Sequence, residues 1–162
     1  MLIIAPSARI SRLADLEDSV RGSRIVIGEN AVIDSFVKIK PAGGSADLVI
    51  GDDTIINSGV VLYTGNGVHI GKHVRVSANC TFAPTNHGYE AKDRLIRDQG
   101  FLPSRGGIIV EDDVWIGANT VLLDGAVLGR GCVIGAGSLV RGRVEPYAIG
   151  YGNPLKITGY RK

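Results

Sequence analysis

Aliphatic residues recur every six positions through the second half of this chain: Val110, Ile116, Leu122, Leu128, Ile134 and Val140. Four residues after each stands a small or β-branched one, Val114, Thr120, Ala126, Cys132, Ser138 and Val144, and Gly117, Gly129 and Gly135 follow their aliphatics directly. A period of six is neither the ~3.6 of an amphipathic helix nor the ~2 of an alternating strand. It is the signature of a coil built from repeats. The same register appears upstream in threes, at Ile27, Ile33 and Ile39, then Ile50, Ile56 and Leu62, then Ile70, Val76 and Phe82. Three hexads make an 18-residue coil of three short, flat strands. The spacing therefore predicts a triangular prism, all-β, with each aliphatic and its i+4 partner pointing inward. Aromatic residues are only 6% of the chain, so the core must be aliphatic, and the 23 glycines together with Asn and Asp suit the corners, where positive φ costs them little.

The breaks in register are as informative as the repeat. Five extra residues separate Ile39 from Ile50, two separate Leu62 from Ile70, and twenty-two separate Phe82 from Val110. All three insertions follow the third hexad of one coil and precede the first of the next. They must stack along one edge of the prism, and solenoids often bind on such an edge. The chain divides into an N-terminal partial coil or short helical cap at 1–24, the coil proper at 25–145 with an inserted loop at 83–109, and a C-terminal cap and tail at 146–162. Within the loop, EAKDRLIRDQ is expected to form one or two helical turns, with Glu90–Arg94 and Asp93–Arg97 pairs.

Composition excludes several classes. Charged residues at 21% and hydrophobic ones at 44% describe a globular chain. No apolar run approaches the roughly 20 residues of a membrane-spanning helix, and MLIIAP lacks the basic start of a signal peptide. The expectation is a cytoplasmic protein with no integral membrane segment. Two cysteines make no disulfide framework, and Cys80 and Cys132 both occupy inward positions on different walls. Residues 126–162 carry Arg130, Arg141, Arg143, Lys156, Arg161 and Lys162 against Glu145 alone. That basic end suits a small polyphosphate ligand. Nucleic acid is not expected, because no dense basic run interleaves with aromatics.

The hexads, with VEDDVWIGANTVLLDGAVLGRGCVIGAGSLV, GNPLKI and the loop motif APTNHGY, resemble the hexapeptide-repeat acyltransferases over about residues 25–157. In style they are similar to the galactoside and maltose O-acetyltransferases and the O-acetyltransferases of surface polysaccharides. The resemblance implies a left-handed parallel β-helix, a homotrimer with its sites between prisms, acetyl-CoA as acyl donor and no metal. It implies an O-acetyltransferase acting on a carbohydrate hydroxyl, in modification of surface polysaccharide or lipopolysaccharide. The alternatives are N-acetylation of an amino sugar or antibiotic, and a non-catalytic β-solenoid scaffold.

Site residues follow partly from that resemblance and partly from position. His87, in the long insertion, is the general base that the family implies, and an imidazole is suited to take a hydroxyl proton near pH 7. Asn86 stands beside it. Trp115 points outward and is expected on the same edge as His87, either as a wall of the site or as a contact with another subunit. Asn57 and Tyr63 are candidates for acceptor binding. Gly117, Ala118, Ala136 and Gly137 are small enough for pantetheine to lie against them, although corner geometry alone explains the glycines. Arg141, Arg143 and Lys156 are expected to meet the coenzyme A phosphates. His69 and His73 complete the three histidines of the chain. Their spacing with His87 lacks the close pair plus distant partner of the zinc-binding γ-carbonic anhydrases, so no metal is expected.

Overall fold

The structure, a computed structural model, describes residues 1–162. Its strands stack into three parallel sheets, one per wall of a prism. Sheet 1 runs through Leu2–Ile4, Ile25–Ile27, Leu48–Ile50, Val68–Ile70, Ile108–Val110, Val127–Leu128 and Arg143–Val144. Sheet 2 runs through Arg9–Ile10, Val32–Ile33, Ile55–Ile56, Arg75–Val76, Trp115–Ile116, Val133–Ile134 and Ala148–Tyr151, and ends on an antiparallel strand, Lys156–Tyr160. Sheet 3 runs through Asp15–Leu16, Lys38–Lys40, Val61–Tyr63, Thr81–Ala83, Val121–Leu123 and Leu139–Val140.

The six-residue columns become the core. Ile116 and Ile134 pair coil to coil, as do Leu122 and Val140, and Val110 with Leu128. These aliphatics are buried, and so are Val114, Thr120, Ala126, Cys132 and Ser138 at the i+4 positions. The core cluster holds 29 residues, with Phe82 its one aromatic. Cys80 and Cys132 are both buried and free, and burial pushes the Cys132 thiol up to about 12. Corner residues take the left-handed conformation that the repeat demands. Between sheets 1 and 2 this column is Asn30, Asp53, His73 and Asp113, with φ of 55°, 54°, 58° and 60°.

Both ends depart from the sequence reading. Residues 2–16 form a whole coil, neither a partial one nor a helix: Ile4, Ile10 and Leu16 pair with Ile27, Ile33 and Ile39. The first coil is harder to read because only the second coil covers it, which leaves its own aliphatics partly exposed. At the other end the last turn is two residues short. Val144 pairs with Leu128 and Gly150 with Ile134, so Val144 fills the aliphatic column and not an i+4 slot.

The insertions do share one edge, the one between sheets 3 and 1. Ala46 N–H donates to the Gly65 carbonyl at 3.3 Å, Ile108 N–H to the Gly67 carbonyl at 2.9 Å, and Gly125 N–H to the Gly107 carbonyl at 2.6 Å. The long excursion contains a single 3-10 turn, Ile96–Asp98. The expected Glu90–Arg94 and Asp93–Arg97 pairs give way to Arg97 with Asp98 at 3.4 Å. The tip is closed instead by Gln99, whose side-chain amide accepts from Ala91 N–H at 3.0 Å and donates to the Ala91 carbonyl at 2.9 Å.

Candidate active site

The excursion leaves sheet 3 after Ala83 and returns antiparallel to itself. Gly88 N–H donates to the Gly100 carbonyl at 2.9 Å, and Leu102 N–H to the Asn86 carbonyl at 2.8 Å. This short ladder places His87 opposite Phe101, with ring centroids 4.7 Å apart and planes tilted by 40°. Below them lies a groove of about 350 Å³, lined by Ala42, Gly43, Tyr63, Ala83, Thr85, His87 and Phe101. The first and third insertions and the end of sheet 3 thus build one pocket. Among its lining residues only His87 carries an imidazole, the side chain most often used for general-base work. A Cβ on Gly43, which sits at φ +83°, would meet Thr85 Oγ1 at 2.8 Å, so the close approach of the first insertion to the third needs glycine there.

Tyr63 and His87 are therefore brought to one place, with Asn86 beside His87 in the ladder but outside the groove lining. Asn57 and Trp115 are not. Asn57 sits at the corner between sheets 2 and 3, its side-chain amide spent on the Val76 carbonyl at 2.7 Å. Trp115 is outward, 54% exposed, on sheet 2 beside that same corner, and its indole N–H donates to Ser77 Oγ at 3.2 Å. The expectation of Trp115 on the edge of His87 is thus corrected. Insertions follow third hexads, whereas Trp115 opens the strand Trp115–Ile116 of the second wall.

The small residues form a continuous strip along the corner of sheets 2 and 3. Gly137 N–H donates to the Ala118 carbonyl at 2.8 Å. A Cβ on Gly117 would lie 2.5 Å from the Ala136 amide nitrogen, so coil packing itself demands that glycine. Outside Gly137 the space is open, and Ala136 and Gly137 are exposed. The open space at Gly137 leaves backbone there reachable by a slender chain. Arg141 and Arg143 share a groove of about 160 Å³ with Leu139, Val144, Pro154, Leu155 and Ile157 at the C-terminal end. Lys156 does not line that groove; it pairs with Tyr151 on the antiparallel strand.

The three histidines diverge. His69 is exposed mid-strand on sheet 1, and His73 fills a left-handed corner, its Nδ1 3.8 Å from Asp53 Oδ2. No group of three or more His, Cys, Asp or Glu side chains is arranged to hold a metal ion. No helix is long and apolar enough to cross a membrane.

Sequence reasoning missed two residues. Phe101 carried no signal beyond its place in the loop, because its contact with His87 depends on the excursion doubling back. Asp124 looked like one more corner acid. It is 3% exposed, and Oδ2 accepts from Arg105 N–H at 2.8 Å and from the Asn66 amide at 3.2 Å, while Oδ1 accepts from Gly107 N–H at 2.9 Å.

Residues 107–142 match the family described as bacterial transferase hexapeptide (six repeats). The chain is 31% identical over 152 residues to a chloramphenicol acetyltransferase of Agrobacterium fabrum, a match covering 87% of this chain and 69% of that one. It is 31% identical over 115 residues, 71% of its length, to a "Probable acetyltransferase" of Mycobacterium tuberculosis, of which it spans 38%. A third relative, the dTDP-3-amino-3,6-dideoxy-alpha-D-galactopyranose 3-N-acetyltransferase of Aneurinibacillus thermoaerophilus, is 44% identical over 57 residues, which cover 35% of this chain and 30% of that one. Among solved structures, a mutant of AntD, an N-acyltransferase from Bacillus cereus in complex with dTDP and coenzyme A, superposes with a TM-score of 0.83 at 21% identity, covering 98% of this chain and 84% of that one. The coil is the left-handed parallel β-helix.

Proposed function

Because the chain belongs to the hexapeptide-repeat acetyltransferase family, we propose that it transfers the acetyl group of acetyl-CoA to a small amino-sugar or antibiotic acceptor. The observation that carries this reading is the groove of Tyr63, Thr85 and Phe101 under the His87 imidazole. The acceptor lies there. Its nucleophilic atom attacks the thioester carbonyl, a backbone N–H steadies the oxyanion, and His87 takes the acceptor proton and returns it to the departing thiolate. The bond formed is acceptor to acetyl, the bond broken is acetyl to sulfur, and no acyl-enzyme intervenes.

The relatives bearing a sugar N-acetyltransferase or antibiotic acetyltransferase name support the amine or antibiotic acceptor over a polysaccharide. Transfer to a carbohydrate hydroxyl is the second reading, and His87 itself favours it. A hydroxyl must shed its proton to attack, whereas a neutral amine already offers a lone pair. Acetyl-CoA is available in the cytoplasm, and we read the reaction as cytoplasmic.

One chain does not complete the site. His87 is on the edge between sheets 3 and 1, and the strip Gly117, Ala118, Ala136 and Gly137 is on the corner between sheets 2 and 3. Both border sheet 3. Three prisms packed around an axis, with sheet 3 inward, bring the His87 edge of one against the strip and Trp115 of the next. From the third coil onward the outward residues of sheet 3 suit that packing: Val61, Thr81, Val121, Leu123 and Leu139 are uncharged and half-buried already, whereas the first two coils present Asp15, Lys38 and Lys40 there. Tyr89, Leu95 and Ile96 of the excursion are exposed in the single chain and would find cover on the neighbour. In this arrangement pantetheine runs along the strip, and Arg141 and Arg143 meet phosphates.

The deciding experiment is turnover of acetyl-CoA against amino sugars, antibiotics and neutral sugars, with His87→Ala on each active acceptor. A hydroxyl acceptor should lose roughly 10²-fold or more in turnover, and an amine far less. Absence of turnover on every acceptor would count against the proposal.

A further inference from the structure

We infer that Asp124 is a positioning residue for the acetyl-transfer site, the clamp that fixes the returning leg of the excursion and, through Phe101, the His87 ring. The inference rests on the reading of His87 as the group that takes the acceptor proton. Its grounds are geometric. Asp124 follows the strand Val121–Leu123, at the edge where the insertions stack, and is almost wholly buried. Three donors from two different insertions converge on its carboxylate: the Arg105 and Gly107 backbone N–H groups and the Asn66 side-chain amide. All three are neutral.

A carboxylate suits that convergence better than any other small side chain. It is acceptor-only on both oxygens, so it can take all three bonds at once. Bonds to an ionised acceptor are also the stronger kind. The return leg is shaped to deliver its donors: Gly106 and Gly107 are consecutive left-handed residues at φ +109° and +75°. A Cβ on Gly107 would collide with the Gly67 carbonyl, so this path is open to glycine alone.

The chain of contacts from clamp to site is short. Arg105 stands four residues beyond Phe101, and Leu102 between them is tied to the Asn86 carbonyl. Phe101 faces His87 ring to ring. With Arg105 and Gly107 held, the return leg cannot slide along the edge, and Phe101 keeps its place against the imidazole. Asp124 does not line the groove and its hydrogen bonds go to Asn66, Arg105 and Gly107, so its effect is on geometry and not on chemistry.

The test is Asp124→Asn, nearly equal in shape, whose amide N–H₂ must face at least one of the three donors. Backbone hydrogen exchange read over residues 84–107 should speed up about tenfold or more, while the columns around Val110, Ile116 and Ile134 keep their protection. On an acceptor whose turnover depends on His87, turnover should fall about 2–10-fold, the scale of the Phe101 contact through which the clamp acts, with the Michaelis constant for acetyl-CoA nearly unchanged, because the strip is on another corner. Unchanged exchange in the excursion overturns the clamp, and so does loss of protection throughout the coil. Faster exchange with full turnover overturns the positioning role. If wild-type protein shows no acetyl transfer, the proposed function fails while exchange still reads the clamp. Should Asp124→Asn not fold, the exchange Asn66→Asp with Asp124→Asn is read instead. It restores an amide–carboxylate pair but leaves an excursion amide unheld, so turnover should stay low; full turnover there overturns the proposal.

Discussion

His87 and Trp115 stand on different corners of the same prism, one on the edge where the insertions stack, the other at the far side of sheet 3. If both serve one site, that site is shared between chains, and two defective chains can repair each other. On an acceptor whose turnover depends on His87, His87→Ala and Trp115→Ala should each be nearly inactive alone. Refolded together, they should recover turnover, because some clefts then pair an intact His87 with an intact Trp115. Activity that stays absent in the mixture, with mixed oligomers verified by mass, would mean that the site lies within one chain.

Phe101→Ala should lower turnover without loosening acetyl-CoA. The ring contact at 4.7 Å is of the kind worth about 0.5–1.5 kcal/mol, or about 2–10-fold in rate if it acts wholly in the transition state. Steady-state kinetics on the true acceptor checks this, and a rise in the acetyl-CoA Michaelis constant with unchanged turnover would contradict it.

Arg141→Ala with Arg143→Ala should raise the Michaelis constant for acetyl-CoA and leave the thermal midpoint nearly where it was. Both side chains are exposed, and the one ion pair between them and the rest, Arg143 with Glu145 at 3.5 Å, is a surface contact. Dephospho-CoA should bind more weakly than desulfo-CoA to the wild type. Calorimetry with the two analogues separates a phosphate site from a merely basic terminus.

Ile134→Ala should cost about 2–5 kcal/mol of stability. Ile134 is wholly buried in a column between Ile116 and Gly150, and rigid coils on either side leave little room for collapse around the void. Denaturant titration gives the value, and a loss well under this range would mean that the neighbouring coils close up.

The coil was readable because a six-residue period has no competing explanation, and the insertion edge followed by counting hexads. The same count puts Trp115 on the second wall; outwardness alone did not. Ile4, Ile10 and Leu16 also keep the period, but the first coil is flanked on one side only, so its residues mix apolar and charged types more freely. His87 was legible from its place in the longest insertion. Phe101 and Asp124 were not, since each acts only after the excursion has turned back on itself, and no local pattern records where a loop returns.

The reversed strand Lys156–Tyr160 has a consequence for association end to end. Each coil is a template for the next, and a stack of prisms could in principle grow as a fibre by adding coil on coil. At this end the template is withdrawn. Sheet 2 finishes on a strand of opposite polarity, pinned where Arg161 reaches Asp113 at 2.9 Å, and Leu155 N–H takes the Leu139 carbonyl that closes sheet 3. A second molecule arriving with its first coil meets no parallel edge to continue on these two walls. On these two walls the reversed strand denies an incoming coil the parallel edge that a self-templating architecture otherwise offers.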